Sequence, residues 1–318
     1  MRAARRARSR RLRPPLCLRF CRRRTRLYLA GIAKHWKGRD MSRSVVRRVG
    51  IIGLGKMGNP MARHLRKAGF DVSAHDIDER ARGEAERAGI ALAADPHAVA
   101  ERSDFVIIVV GFDKEAETVL LGPDGIAGGA PAGLIVGVAS TVAPRTMTRL
   151  AARLAGSGIV LLDMPLTRGE QAAEAGEMLV MVGGDADAFA ACRPALTSFA
   201  NAVFHLGDLG AGQVGKMVNN MILWSCISAN FEGFKLAQGL GVDLERLRSA
   251  LVESSASNWA LQNRIDRFPM PWAEKDMRIV LSEADRLRLS VPLCGVVTEV
   301  VKTVKLERGW PTPEQRET

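Results

Sequence analysis

From Val49 onward, short apolar runs alternate with segments whose apolar residues recur at helical spacing. Val49 to Ile52 predicts a strand. Asn59 to Gly69 predicts a helix with Met61, Leu65 and Ala68 on one face, and Val72 to His75 a second strand. Asp104 to Val110 is almost wholly apolar, as expected of a strand covered on both sides. Further strands are predicted over Leu134–Val138, Ile159–Leu162, Leu179–Val182 and Val203–His205. Strands alternating with helices point to a doubly wound parallel sheet. Near Gly210 the pattern changes. Helical spacing runs from Val214 to Leu240, then over Leu244–Ser254, Asn258–Arg267, Lys275–Leu287 and Leu293–Leu306, with no comparable strand between.

Two constellations within this pattern carry chemistry. Gly53-x-Gly55-x-x-Gly58 closes the first strand and opens the first helix. Gly53 permits the tight turn, Gly55 lets backbone approach a pyrophosphate, and Gly58 allows close packing of helix on strand. The second strand ends in Asp76, 18 residues beyond Gly58, where a carboxylate accepts from both adenosine ribose hydroxyls and repels a 2′-phosphate. That favours NAD over NADP. Downstream, Lys216 and Asn220 stand four apart on an apolar helix and so share a face. An ammonium and a carboxamide converging from an apolar wall are costly without a task, and proton transfer is the task they suit. The expected fold class is therefore an α/β Rossmann-type doubly wound parallel sheet over 45–209, followed by an all-α C-terminal domain over 210–318. The second domain is expected to serve substrate binding and oligomerisation.

Composition changes this picture little. The 318 residues are 47% hydrophobic and 25% charged, ordinary for a soluble globular chain, and no run approaches the roughly 18 apolar residues of a membrane span. The net charge of +12 suggests nucleic acid until its distribution is read: residues 1–40 hold fifteen Lys and Arg against Asp40, so the rest of the chain carries −2. A basic stripe for a phosphate backbone has no source outside that tail. The extension 1–44 is expected to be disordered. Three readings of it stand open: an over-long start ahead of Met41, an Arg-rich transit peptide addressed to the mitochondrial matrix, or a nucleic-acid or membrane-binding arm. Cys192, Cys226 and Cys294 are scattered without metal-ligand spacing. They fit reduced core cysteines in a cytoplasmic compartment, and no metal site is expected.

Several segments together resemble the β-hydroxyacid dehydrogenases, the 3-hydroxyisobutyrate dehydrogenase family. They are Gly53-Leu54-Gly55-x-Met57-Gly58-x-x-Met61-Ala62, Ser140-Thr141-Val142-x-Pro144, Asp163-Met164-Pro165-Leu166-Thr167-Arg168-Gly169, Gly212-Gln213-x-x-Lys216-x-x-Asn219-Asn220 and Lys275-Asp276-Met277. The resemblance implies reversible hydride transfer between NAD and a small anionic hydroxy acid or aldehyde. By that resemblance Lys216 is the general acid/base and Asn220 holds it or the substrate. Thr167, Arg168 and Gly169 bind a carboxylate or other distal anion. Gly53, Leu54, Gly55, Met57, Gly58 and Asp76 hold the cofactor, Val110, Gly111 and Thr141 line its nicotinamide ribose, and Lys275 closes over it. A homodimer or homotetramer is expected.

Blander readings accompany these. Ser140-Thr141 fits a helix cap, Lys275-Asp276 an exposed charge pair, Trp259 a core aromatic in preference to one facing the cleft, and Arg168 an outward partner of Glu170 or Glu174. Where the family has Ser-Gly-Gly this chain has Thr167-Arg168-Gly169, and an Arg fork suits a substrate with a strong distal anion. Val110-Gly111 replaces the family's Leu-Pro, with Glu115 nearby. The alternatives are an imine reductase on the same scaffold, against which Lys216 counts, and a non-catalytic NAD(P)-sensing or nucleic-acid-binding protein using the basic arm.

Overall fold

In chain order the elements are β1 (Arg48–Ile52), α1 (Gly58–Lys67), β2 (Asp71–His75), α2 (Glu79–Arg87), β3 (Ala91–Leu92), α3 (Pro96–Glu101), β4 (Phe105–Ile108), α4 (Asp113–Leu121), α5 (Ile126–Gly129), β5 (Ile135–Val138), α6 (Pro144–Arg153), β6 (Val160–Asp163), β7 (Leu166–Thr167), α7 (Gly169–Ala175), β8 (Met178–Gly183), α8 (Ala186–Leu196) and β9 (Ala200–Gly207). Five helices follow: α9 (Ala211–Gly239), α10 (Leu244–Val252), α11 (Trp259–Gln262), α12 (Ala273–Leu287) and α13 (Pro292–Arg308). The structure, a computed structural model, describes residues 46–263 and 269–312. The extension 1–44 and residues 264–267 of the expected helix ending at Arg267 lie outside the described residues.

The strands form one sheet in the order β3-β2-β1-β4-β5-β6-β8-β7, with β9 paired to β8. The six strands from β3 to β6 are parallel. Chain progression runs one way from β1 to β3 and the other from β4 to β6, so the connections leaving the carboxyl ends of β1 and β4 diverge and open a crevice. β4 and β5 are buried along their whole length, which explains their unbroken apolar runs. The sheet is not wholly parallel as expected. β8 runs antiparallel to β6 and β7, because β7 continues in the direction of β6 and the chain reverses only through Arg168 and α7 before entering β8.

The helical half has its own core, in which Trp224 and Ile227 of α9 pack with Met277 and Val280 of α12 and Val297 and Val301 of α13. α9 has 29 residues and touches α11, α12, α13, β8 and β9. Packing on so many sides accounts for its nearly all-round apolar sequence. Val214, Val218 and Ile222, at successive i+4 steps, nevertheless form an exposed apolar ridge. No helix among the described residues is long and apolar enough to cross a membrane.

Candidate active site

The turn after β1 is built without side chains. Gly53 sits at φ 99°, where its N–H donates to His75 O at 3.0 Å and a Cβ would run into Val109 O. A Cβ on Gly58 would strike Gly53 O, so the helix rests directly on the turn. Gly55, in contrast, faces open space. The first turn of α1 holds no acidic residue; Pro60 has no N–H and the Asn59 N–H donates to Gly55 O at 3.1 Å, so the backbone donors for an anion are those of the turn itself, Lys56 to Gly58. The Asp76 carboxylate is fixed beside this cradle by the Leu54 N–H at 2.5 Å and the Asp78 N–H at 2.8 Å, each oxygen keeping a lone pair. Leu54 takes part through its backbone, since its side chain is buried. The donor set fits a dinucleotide: open backbone for the pyrophosphate and a carboxylate for the ribose.

One cleft of about 2340 Å³ runs from this turn to the helical half. Val110, Gly111 and Thr141 line it. The Val110 N–H donates to Ser140 Oγ at 2.9 Å, and the Gly111 and Phe112 N–H groups donate to Glu115 Oε2 at 2.9 and 3.1 Å. Glu115 thus holds the loop that replaces the family's Leu-Pro. Ser140 and Thr141 do not cap α6, whose N-cap is Ala143. From the helical half, Lys275 Nζ donates to Gly111 O at 2.5 Å and lies 5.4 Å from the ring centroids of both Phe112 and Trp272. Lys275-Asp276 is therefore no exposed charge pair, and burial lowers the Lys275 ammonium below the ordinary lysine range.

Lys216, Asn220 and Trp224 follow at i, i+4 and i+8 on α9 and line the same cleft. Lys216 Nζ donates to Leu166 O at 2.7 Å. Burial lowers its pKa from the ordinary 10.5, the nearby Asp276 carboxylate raises it, and Lys275 lowers it further. Asp276, on α12, is the buried centre of this cluster. It accepts from Trp224 Nε1 at 3.2 Å and is hydrogen-bonded to Asn220, whose Oδ1 accepts from Asn219 Nδ2 at 2.9 Å. Burial raises the Asp276 pKa while the two ammoniums oppose that shift.

Thr167 is buried, its hydroxyl 3.4 Å from Leu179 O. Arg168 adopts φ 79° and Gly169 φ 76°. The left-handed conformation costs a residue with a Cβ about 1–2 kcal/mol. Arg168 lines the cleft, and its Nη1 donates to Glu177 O at 2.9 Å and to Asn201 Oδ1 at 2.5 Å, which ties one nitrogen of the guanidinium to the strands behind it. It does not pair with Glu170 or Glu174 either, which bond Lys56 and Arg63. Trp259, expected in the core, is 39% exposed and lines the cleft.

Sequence reasoning left Asp163, Gln213, Trp224 and Asp276 without roles. Asp163 is fully buried at the end of β6 and accepts from the Gly210 N–H at 2.6 Å and the Gln213 N–H at 2.7 Å, capping α9. Gln213 in turn donates to Ser140 O at 2.8 Å. The signal for Trp224 was its spacing, eight residues beyond Lys216. Asp163 and Asp276 stood inside quoted motifs, with no sign of their partners.

A dinucleotide cradle and a buried lysine facing one cleft define a nicotinamide-dependent oxidoreductase. Residues 48–207 match the family model for the NAD binding domain of 6-phosphogluconate dehydrogenase, and residues 210–311 match that for the NAD-binding region of NADP-dependent 3-hydroxyisobutyrate dehydrogenase. The chain is 33% identical to 3-hydroxyisobutyrate dehydrogenase of Pseudomonas aeruginosa, over 77% of this chain and 88% of that one. It is 32% identical to L-threonate dehydrogenase of Cupriavidus necator, over 80% and 89%. The structure superposes on 3-hydroxyisobutyrate dehydrogenase of Salmonella typhimurium with a TM-score of 0.74 at 28% identity, covering 83% of this chain and 95% of that one. The chain belongs to the β-hydroxyacid dehydrogenase family, 3-hydroxyisobutyrate dehydrogenase type, and is an NAD(P)-dependent dehydrogenase.

Proposed function

We propose that the protein interconverts a small β-hydroxy acid and its aldehyde or semialdehyde, with Lys216 as general acid/base and NAD as the preferred coenzyme. The observation that carries this reading is the position of Lys216: its ammonium shares one cleft with the Gly55 cradle and lies beside a buried carboxylate, Asp276. In oxidation the neutral Lys216 amine takes the proton from the substrate hydroxyl oxygen; NAD held by the Gly53–Gly58 turn and Asp76 would supply the acceptor for the hydride on the carbon that bears that hydroxyl. In reduction the Lys216 ammonium returns the proton to the carbonyl oxygen. Asn220 and Asp276 orient the amine, and burial poises it nearer neutrality. The substrate carboxylate meets the Thr167–Gly169 segment through its backbone. NAD is favoured because Asp76 would repel a 2′-phosphate.

The same reading assigns 45–209 to the coenzyme and 210–318 to substrate and subunit contacts, the sheet ending at Gly207 and α9 starting at Ala211. The exposed ridge Val214, Val218 and Ile222 supports a dimer or tetramer. The free cysteines Cys192, Cys226 and Cys294 support a cytoplasmic site of action. The test is NADH formation by the full chain with a panel of three- and four-carbon β-hydroxy acids, and NADH consumption with the matching aldehydes. Turnover of at least one pair, at least tenfold faster with NAD than with NADP, is expected. Coenzyme binding without any turnover would overturn the assignment of Lys216.

A further inference from the structure

Two irregularities of the backbone meet beside the substrate segment. The first is Arg168, a residue with a side chain held at φ 79° where glycine is at home. The second lies on the neighbouring strand. Met178 pairs with Ala200 and Leu179 with Ala202, so Asn201 is the extra residue of a β-bulge in β9. A bulge leaves one residue out of the ladder and re-aims its side chain. Here the two are joined: Arg168 Nη1 donates to Asn201 Oδ1 at 2.5 Å, and to Glu177 O, one residue ahead of β8, at 2.9 Å.

The turn needs such a tie. β7 pairs with β8 over only two residues, Leu166 with Val180 and Thr167 with Leu179, so the ladder ends where the turn begins. The next residue, Gly169, is also left-handed, with open space where a Cβ would stand. A charge-assisted hydrogen bond from Arg168 spans β7, β8 and β9 and fixes that junction.

We propose that Arg168 and Asn201 form a staple that holds the Thr167–Gly169 turn in its binding shape, so that Arg168 is a positioning residue whose charge does not recognise the substrate. The proposal rests on the reading that this turn receives the substrate carboxylate. It replaces a distal-anion clamp with a device that serves acids and uncharged analogues alike.

The test uses the full chain with Asn201→Ala, Asn201→Asp, Arg168→Gly and the double variant Arg168→Gly/Asn201→Ala. Asn201 is exposed, so its alanine variant keeps the fold. Amide hydrogen exchange over 166–170 is expected to quicken about three- to tenfold in Asn201→Ala and to return to the parental rate in Asn201→Asp. kcat/KM for the preferred hydroxy acid and for its primary amide is expected to fall by the same factor, about three- to tenfold, with KM for coenzyme unchanged. The double variant should be no worse than the poorer single one. Unchanged exchange in Asn201→Ala overturns the staple. Faster exchange with unchanged kinetics overturns the positioning role. An Arg168→Gly loss confined to the acid, with Asn201→Ala silent, makes Arg168 a substrate clamp instead. If no hydroxy acid turns over, the dehydrogenase reading and the positioning role built on it fail, and exchange alone decides the staple.

Discussion

Two turns face each other across the cleft, and each places backbone in the left-handed region by a different means. The coenzyme turn does it by omission: Gly53 at φ 99° carries no Cβ to meet Val109 O, and Gly58 none to meet Gly53 O. The substrate turn does it by attachment: Arg168 at φ 79° keeps its side chain and ties it to Asn201 and Glu177. The first turn must admit a pyrophosphate against bare backbone, so nothing can be added to it. The second meets a smaller group and tolerates bulk, provided the bulk is fixed elsewhere. A shape made by omission is rigid because its neighbours leave no room. A shape made by attachment is only as firm as its partner.

The contrast presumes that both turns serve Lys216, and the largest effect tests that presumption. Lys216→Met should lower kcat by about 10²–10⁴ while coenzyme affinity stays within about twofold. A loss of NADH affinity instead, read by fluorescence titration, would tie the lysine to the coenzyme turn alone. The pH profile sharpens the point. Oxidation needs the neutral amine, so its rate should rise with pH and level off above a midpoint lying below 10.5, while reduction falls through the same midpoint. Asp276→Asn should move that midpoint lower still, since the carboxylate favours the ammonium. Next comes the turn made by omission. Gly58→Ala should destabilise the fold by about 1–3 kcal/mol by denaturant titration and weaken NADH binding at least about tenfold. Near-parental values would mean that the turn has slack. The smallest effect concerns the exposed ion pair between Lys56 of one turn and Glu170 of the other, at 3.0 Å. Lys56→Ala should change stability and kcat/KM by no more than about 0.5 kcal/mol at physiological salt. A larger change would show that the turns are coupled through the surface.

The same contrast explains what could be read in advance. Omission leaves a local signature, and the strand, the three glycines after it and Asp76 stand within 28 residues, Val49 to Asp76. Lys216 and Asn220 were legible because helical spacing puts them on one face. The strands with long apolar runs, β4 and β5, were found for the same local reason. The two-residue strands β3 and β7 are too short to show a period, and the reversed direction of β8 leaves no mark in its own residues. Attachment leaves no local signature at all. Arg168 meets Asn201 across 33 residues and Trp224 meets Asp276 across 52, so neither contact follows from spacing. For Trp259 the sequence favours the core over the cleft, because a tryptophan is apolar enough for a core, yet only packing decides which wall it joins.

Asp163 gives α9 a fulcrum. Its carboxylate grips the helix at Gly210 and Gln213, and the helix then runs 29 residues, about 43 Å, to Gly239. Lys216 lies only six residues, about 9 Å, from Gly210. Any rocking of the helix about that point moves the lysine through roughly a fifth of the arc swept by the far end. The outer turns near Leu236 and Leu240 can therefore take up thermal motion as a long lever arm does, while the reacting amine stays close to the pivot.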